Sequence, residues 1–267
     1  MFRLHRPAGP GGPGYAFTDR VGGSGPVGLT LGGAATHGVE TVRRDGRAVL
    51  AAIGVERLYT PWQVHGTDVL TIDDAALSGW SADAWLGSAV PGQPASPQAD
   101  ALVTDRPGVA LLIRTADCLP VIFVDETARA VGVAHAGRVG LAAGVLTRTV
   151  EALAALGATA PTAVIGPAIC GSCYEVPGEM RDAVAAGLPG AAATTSWGTP
   201  ALDLPGAARQ QLLGLGCRVE QVAACTREDP LLHSYRRDGA RMGSLGALVW
   251  LAPRVGGAIP ATAAPGR

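Results

Sequence analysis

The chain has 267 residues, 48% of them hydrophobic, enough to bury the core of one large domain or at most two. Its 21 basic and 22 acidic residues balance, which argues against an electrostatic grip on nucleic acid or on an anionic membrane. Gly, Pro or charge interrupts every apolar run before it reaches bilayer-spanning length, and the opening Met1-Phe2-Arg3-Leu4-His5-Arg6-Pro7 lacks the apolar core of an export signal, so a cytoplasmic protein is expected.

In chain order, residues 1–14 read as a disordered lead-in, because Pro7-Ala8-Gly9-Pro10-Gly11-Gly12-Pro13-Gly14 does not suit regular structure. Residues 42–54 read as a helix stopped by Gly54, with Val42, Val49 and Ile53 on one face. Residues 57–63 read as a strand entering His65, with Gln63 on the same side of it. Residues 78–98, rich in Gly, Pro, Ser and Ala, read as a long mobile loop, either a cover for a nearby site or a surface insertion.

The apolar runs 109–114, 121–124 and 130–134 suit strands covered on both faces. Residues 141–156 read as one helix, with Val145, Thr149, Ala152 and Leu156 at helical spacing and Gly157 as its stop. Its start, just after His135-Ala136-Gly137-Arg138-Val139-Gly140, would present free N–H groups to an anion such as phosphate, or simply form a strand-to-helix turn. Strands are expected at 162–165 and 217–222, and helices at 179–186 and 204–215. Residues 234–238 read as extended, which turns only one of Arg236 and Arg237 inward. Residues 252–267 read as a disordered tail. No internal repeat emerges, and pattern alone gives a mixed α and β chain.

Three residues could meet at one metal: His65, Cys118 in Thr115-Ala116-Asp117-Cys118-Leu119-Pro120, and His135. Each follows an apolar run and precedes a turn former, so all three could leave one sheet edge and converge. Two imidazoles and a thiolate suit zinc, and three protein ligands leave a position open for water or substrate. Their spacing matches no short zinc signature, and the plain alternative is a buried thiol and two satisfied imidazoles. Around them, Arg114 and Arg236 are candidate clamps for a phosphate or carboxylate, and Gln63 could orient substrate. Asp117 and Glu175 are candidate proton carriers. Cys170-Gly171-Ser172-Cys173 could be a redox pair or half a zinc ribbon, but no second Cys-x-x-Cys accompanies it; Cys217 and Cys225 read as buried thiols. Five cysteines in a chain this long argue against a disulfide framework.

Seven stretches are specific enough to compare: Gln63-Val64-His65-Gly66, Ala99-Asp100-Ala101-Leu102-Val103-Thr104, Thr115 to Val121, His135-Ala136-Gly137, Ile165-Gly166-Pro167-Ala168-Ile169, Tyr174-Glu175-Val176 and Ser234-Tyr235-Arg236-Arg237-Asp238. In this order they resemble the laccase-domain family, also called the YfiH or polyphenol oxidase family, whose bacterial members include YlmD-type purine nucleoside phosphorylases. The resemblance covers residues 15–251. It implies a single α/β catalytic domain with mixed sheets between helical layers, and zinc on His65, Cys118 and His135. It also implies purine nucleoside phosphorolysis on adenosine, inosine or methylthioadenosine, with adenosine deamination as a side activity; nucleoside and phosphate are then the partners.

The chain departs from the family in reading Arg138-Val139-Gly140 where Trp-Arg-Gly is usual, and Gly28-Leu29-Thr30-Leu31-Gly32 and Asp45-Gly46 where Ser-Leu-Asn-Leu-Gly and Asn-Arg are usual. Three rival readings follow. One is a metal-free cysteine hydrolase editing peptidoglycan precursors, with Cys118 as nucleophile and His135 or His65 as base. A second is a copper oxidase, disfavoured because a multicopper site takes roughly ten His and Cys ligands, and the whole chain has five histidines. The third is a non-enzymatic partner in cell division or envelope assembly.

Overall fold

The computed structural model describes residues 1–9, 12–78, 80–127 and 129–252. Strands β1 (Phe2–Arg6), β2 (Gly14–Thr18), β3 (Arg57–Tyr59), β6 (Val109–Thr115) and β13 (Leu245–Trp250) form a five-stranded sheet in the order β1-β2-β13-β6-β3. Strands β4 (Val69–Thr71), β5 (Ala101–Thr104), β7 (Leu119–Asp125), β8 (Ala130–Ala136), β9 (Thr162–Ile165) and β12 (Arg218–Gln221) form a six-stranded sheet in the order β12-β9-β7-β8-β5-β4. A separate hairpin pairs β10 (Ala192–Thr194) with β11 (Pro200–Leu202).

Side-chain alternation explains why these strands read as unbroken apolar runs. In β6, Val109, Leu111 and Ile113 enter one core, while Ala110 and Leu112 enter another. In β7, Ile122 and Val124 face the first core, and Leu119, Val121 and Phe123 face a third. The first core therefore lies between the sheets, where it also collects Tyr15, Phe17, Val131, Val133 and Val249. Each such buried aliphatic side chain stabilises the fold by roughly 1.5–3 kcal/mol over leaving it exposed.

Helices close the outer faces. On the five-stranded side, α1 (Ala34–His37) leads into α2 (Val39–Ile53), whose Val42, Val49 and Leu50 pack with Leu58, Trp85, Leu112 and Leu248. Gly54 ends α2 at φ 70°, as the sequence predicts. On the six-stranded side lie α4 (Arg138–Ala143), α5 (Val145–Ala155) and α7 (Leu204–Gly214), which cover Leu119, Val121 and Phe123 with Leu141, Leu146, Leu153 and Leu212. Among the described residues, the remaining α-helices are α3 (Asp74–Ser78), α6 (Gly178–Gly187) and α8 (Tyr235–Asp238). Mixed sheets between helical layers are thus the observed fold.

Several expectations are corrected. Phe2–Arg6 is not disordered: it pairs antiparallel with β2, which supplies its backbone partners. The helix expected over 141–156 is two helices, because Gly144, at φ 96°, breaks it. The stretch 78–98 is anchored rather than loose: Trp85 is 1% exposed, and Trp80 donates its indole N–H to the Leu58 carbonyl at 2.7 Å. It packs on the outer face of the five-stranded sheet and is no cover for the ligand cluster. Residues 234–238 form helix α8, not a strand, because Ser234 caps it by accepting the Arg237 backbone N–H. The tail expected over 252–267 lies, beyond Ala252, outside the described residues.

Candidate metal centre and its cavity

His65 does not sit at a strand end. Pairing of β3 with β6 stops at Tyr59 opposite Leu111, and Pro61 brings no N–H to continue it. The Gln63 side chain completes the edge instead: its Nε2 donates to the Arg114 carbonyl at 2.8 Å, and its Oε1 accepts the Arg114 N–H at 2.9 Å. Gln63 lines the cavity, with its amide committed to the backbone. The chain then turns through His65 at φ 61°, a left-handed conformation that needs outside support.

Asp100 provides that support. Fully buried just before β5, its carboxylate accepts the backbone N–H groups of Val64 (3.1 Å), His65 (2.9 Å) and Gly66 (2.6 Å). The same carboxylate meets His135 Nδ1 at 2.7 Å, and the Asp100 carbonyl accepts the His135 N–H at 2.7 Å. With Nδ1 so engaged, His135 Nε2 is the nitrogen left for a metal, an arrangement in which the carboxylate both orients the ring and strengthens it as a ligand.

Cys118 reaches the site from the crossing between sheets, where Asp117 at φ 86° turns the chain from β6 into β7. Its Sγ lies 3.7 Å from His65 Nε2, and the two imidazoles meet edge to face at 4.7 Å between centroids. One ligand atom from each of His65, Cys118 and His135 falls within 4.8 Å of the others, so the three could hold one metal ion. Gly137 makes room for this: a Cβ there would lie 2.7 Å from His65 Cδ2, 3.4 Å from Cys118 Sγ and 3.5 Å from His135 Cε1.

The electrostatics follow from the packing. Burial alone would raise the Cys118 thiol, but hydrogen bonds and charge from His135 and His65 outweigh it and bring the group down to about 6. Burial likewise would lower His135, yet Asp100 and Cys118 carry it up to about 9. For Asp100, hydrogen bonds from His135, Gly66 and Val64 prevail over burial and hold the carboxyl below its ordinary value. These shifts favour a thiolate at Cys118 beside a protonated His135, itself backed by the Asp100 carboxylate.

His65, Cys118 and His135 open on a cavity of about 500 Å³ whose walls include Arg114, Arg138, Ile169, Tyr174, Tyr235 and Arg236. Arg114 donates to the Pro61 carbonyl at 3.3 Å and has no carboxylate partner among the described residues. Burial lowers its guanidinium to about 10, which leaves it charged at neutral pH. Arg236 donates to the Glu175 carbonyl at 2.9 Å and lies 5.3 Å over the Tyr174 ring. Arg138, displaced by one residue from the family pattern, still lines the cavity. Arg237 turns away and is bound up with Asp238 and the carbonyls of Thr226, Asp229 and Leu232.

The two expected proton carriers are otherwise engaged. Asp117 lines the cavity, but its carboxylate accepts the Thr226 hydroxyl at 2.6 Å and the Arg236 backbone N–H at 2.6 Å, which makes it a brace between loops. Glu175 is exposed and accepts the Trp197 indole N–H at 3.1 Å. Sequence reasoning missed Asp100 as a site residue and Gly137 as the gap that lets three side chains meet. A carboxylate directly before an apolar strand, where no solvent-facing pattern accounts for it, was the available signal for Asp100.

Fold and site together define an α/β sandwich protein with a candidate metal centre at the seam between its sheets. The family model described as multi-copper polyphenol oxidoreductase laccase matches residues 14–252, and the chain belongs to that family. It is 44% identical over 245 residues to purine nucleoside phosphorylase ORF3 of Streptomyces griseus, covering 89% of this chain and 94% of that one. It is 34% identical over 234 residues to purine nucleoside phosphorylase YlmD of Geobacillus stearothermophilus, covering 84% and 82%. The crystal structure of YlmD from Geobacillus stearothermophilus superposes with a TM-score of 0.80 at 29% identity, over 95% of this chain and 99% of that one.

Proposed function

We propose that the chain is a zinc-dependent purine nucleoside phosphorylase that splits adenosine or inosine with inorganic phosphate, methylthioadenosine being a further substrate of the same class. The observation that carries this reading is the placement of Arg114, charged and without a carboxylate partner among the described residues, in the same cavity as the three-ligand cluster. The relatives' names support it. The donor set of two imidazoles and one thiolate, with the Gly137 gap beside them, suits zinc with a position left open. A multicopper assembly lacks ligands: among the described residues, His37 and His233 are bonded to the carbonyls of Met242 and Leu29, apart from the cluster.

Bound at His65, Cys118 and His135, zinc supplies positive charge at the cavity floor for an anionic oxygen. The side chains supply the rest. Arg114 and Arg236 hold phosphate through charge-assisted hydrogen bonds and aim it at the ribose. Tyr174, Tyr235 and Ile169 offer apolar walls for the purine. A phosphate oxygen then bonds to C1′ of the ribose, the bond from C1′ to the purine nitrogen breaks, and its electron pair stays on the base. The base takes up the proton that dihydrogen phosphate gives up, leaving free purine and ribose 1-phosphate. Without phosphate, adenosine is expected to give inosine slowly, water replacing ammonia at C6. A cytoplasmic setting agrees with an odd cysteine count of five.

The test is chromatographic assay of base release from adenosine and inosine, with and without phosphate, in zinc-loaded protein and in Cys118→Ala. Phosphate-dependent release that disappears in the variant is expected. One observation favours a second reading: a thiolate paired with imidazolium is also the resting state of a cysteine nucleophile. Turnover of an acyl or peptide substrate by metal-stripped protein, without phosphorolysis by the loaded form, would select it.

A further inference from the structure

A second group of side chains that could hold a metal ion is formed by Cys170, Cys173, Cys225 and Glu228. It is built from two turns. In one, Cys170 and Cys173 sit three residues apart, and the Cys170 carbonyl accepts the N–H groups of Cys173 and Tyr174, both at 3.0 Å. In the other, Cys225 and Glu228 have the same spacing, and the Cys225 carbonyl accepts the Asp229 N–H at 2.9 Å. An isolated parallel bridge between Ala168 and Cys225 docks one turn on the other.

We infer that Cys170, Cys173, Cys225 and Glu228 form a second, structural metal site whose resident is a zinc ion. Four ligand atoms, one from each residue, lie within 4.8 Å of one another. A zinc tetrahedron with metal–sulfur bonds of about 2.3 Å has edges of roughly 3.8 Å, so the group closes on an ion with a small contraction. Cys173 Sγ already stands 3.3 Å from Glu228 Oε1, and Cys225 Sγ accepts the Cys170 backbone N–H at 3.5 Å. Backbone N–H bonding to a ligand sulfur is the kind of outer contact that fixes a metal thiolate.

The donor set selects the ion. Three soft thiolates with one carboxylate favour zinc over calcium or magnesium. Four protein ligands leave no open position, which separates this site in kind from the three-ligand cluster.

The position gives the site its purpose. Cys173 is followed by Tyr174 and Glu175, which carry a cavity wall and the carbonyl that receives Arg236. Cys225 is followed by Thr226, whose hydroxyl holds Asp117, the neighbour of Cys118. An ion linking the two turns clamps together the loops that shape the cavity, while touching no substrate.

The experiment uses the full chain carrying Cys118→Ala, so that success or failure of the first metal centre has no bearing on it. After chelation and reconstitution with Co(II), one equivalent of cobalt should be retained, with the intense near-ultraviolet thiolate-to-cobalt absorption of a three-sulfur tetrahedral site. That absorption should vanish on adding Cys170→Ser or Cys225→Ser and weaken on adding Glu228→Gln. Differential alkylation of the zinc-loaded parent, read by peptide mass, covers the case in which a variant does not fold: Cys170, Cys173 and Cys225 should be protected together until chelator is added. Absence of the cobalt–thiolate absorption in Cys118→Ala, uniform alkylation with and without chelator, or a mass two hydrogens light from a disulfide among these cysteines would overturn the inference.

Discussion

The Asp100 carboxylate lies 2.7 Å from His135 Nδ1 and also accepts the N–H of His65 at 2.9 Å, so one buried side chain positions both imidazoles of the candidate metal centre. Asp100→Asn should therefore leave a folded protein whose ligands are poorly aimed, with metal affinity down about 10–100-fold. Asp100→Ala, which leaves several buried donors unpaired, should cost about 3–5 kcal/mol of stability. Competition with a chromophoric chelator and urea unfolding measure the two effects. Unchanged affinity in Asp100→Asn would show that the carboxylate is only a loop anchor.

Acid stability should follow from the same group. The folded-state pKa of Asp100 is lowered, so its stabilisation is present above the ordinary carboxylate range and is lost as the pH falls through the folded-state value. His233, buried and bonded to the Leu29 carbonyl, is also lowered, chiefly by burial. Its contribution is present above the ordinary histidine value of about 6.5 and fades as the pH drops below it. Urea midpoints should decline in two stages on acidification, and His233→Gln should remove the earlier one. A midpoint flat down to pH 4 would contradict the His233 assignment, and one that stays flat on further acidification below the ordinary carboxylate range would contradict the Asp100 one.

Cys118 should be unusually reactive once metal is stripped. With the thiol brought down to about 6, alkylation by iodoacetamide in chelator should already be near its maximum at neutral pH. In zinc-loaded protein the same thiol should react slowly. A rate that rises only toward the ordinary thiol value of about 8.5 would show that the imidazoles do not hold the thiolate.

Arg114→Met should raise the KM for phosphate about 10–100-fold, since a charge-assisted hydrogen bond in a buried site is worth roughly 1.5–3 kcal/mol. Its effect on the nucleoside KM should be much smaller. Equal losses for both substrates would place Arg114 in the scaffold rather than on phosphate.

Gly137→Ala tests the space between the ligands. A methyl group there would meet His65 Cδ2 at 2.7 Å, closer than carbon atoms tolerate, so His65 must swing away. The variant should fold with near-normal circular dichroism and lose metal at least about tenfold more readily. Metal titration decides it; parental affinity would mean that His65 is not a ligand.

How much of this was readable from the chain differs by element. The strands around Leu111, Ile122 and Val133 were legible because burial on both faces leaves a continuous apolar run. That His65, Cys118 and His135 come together was legible through motifs and residue type. The geometry was not: Gln63 replaces backbone pairing with its side chain, an exchange no periodicity reveals. The helix at Tyr235–Asp238 was missed because two turns' worth of pattern is absent from four residues and only the Ser234 cap marks it. Trp80 and Trp85 escaped notice because the Gly- and Pro-rich composition around them masks two anchors spaced without period. Cys225 was read as an ordinary buried thiol because its partners Cys170 and Cys173 lie more than fifty residues upstream.

The ligand cluster spans the joint between the two sheets. His65 follows a strand of the five-stranded sheet, while His135 belongs to the six-stranded one, Asp100 lies directly before its strand β5, and Cys118 lies on the chain that passes between the sheets. Any sliding of one sheet over the other therefore also changes the spacing of His65, Cys118 and His135. Trimming side chains in the inter-sheet core, such as Val133→Ala or Leu111→Ala, should then register as a change in metal spectroscopy before it registers as unfolding, and the centre serves as a strain gauge for the whole sandwich.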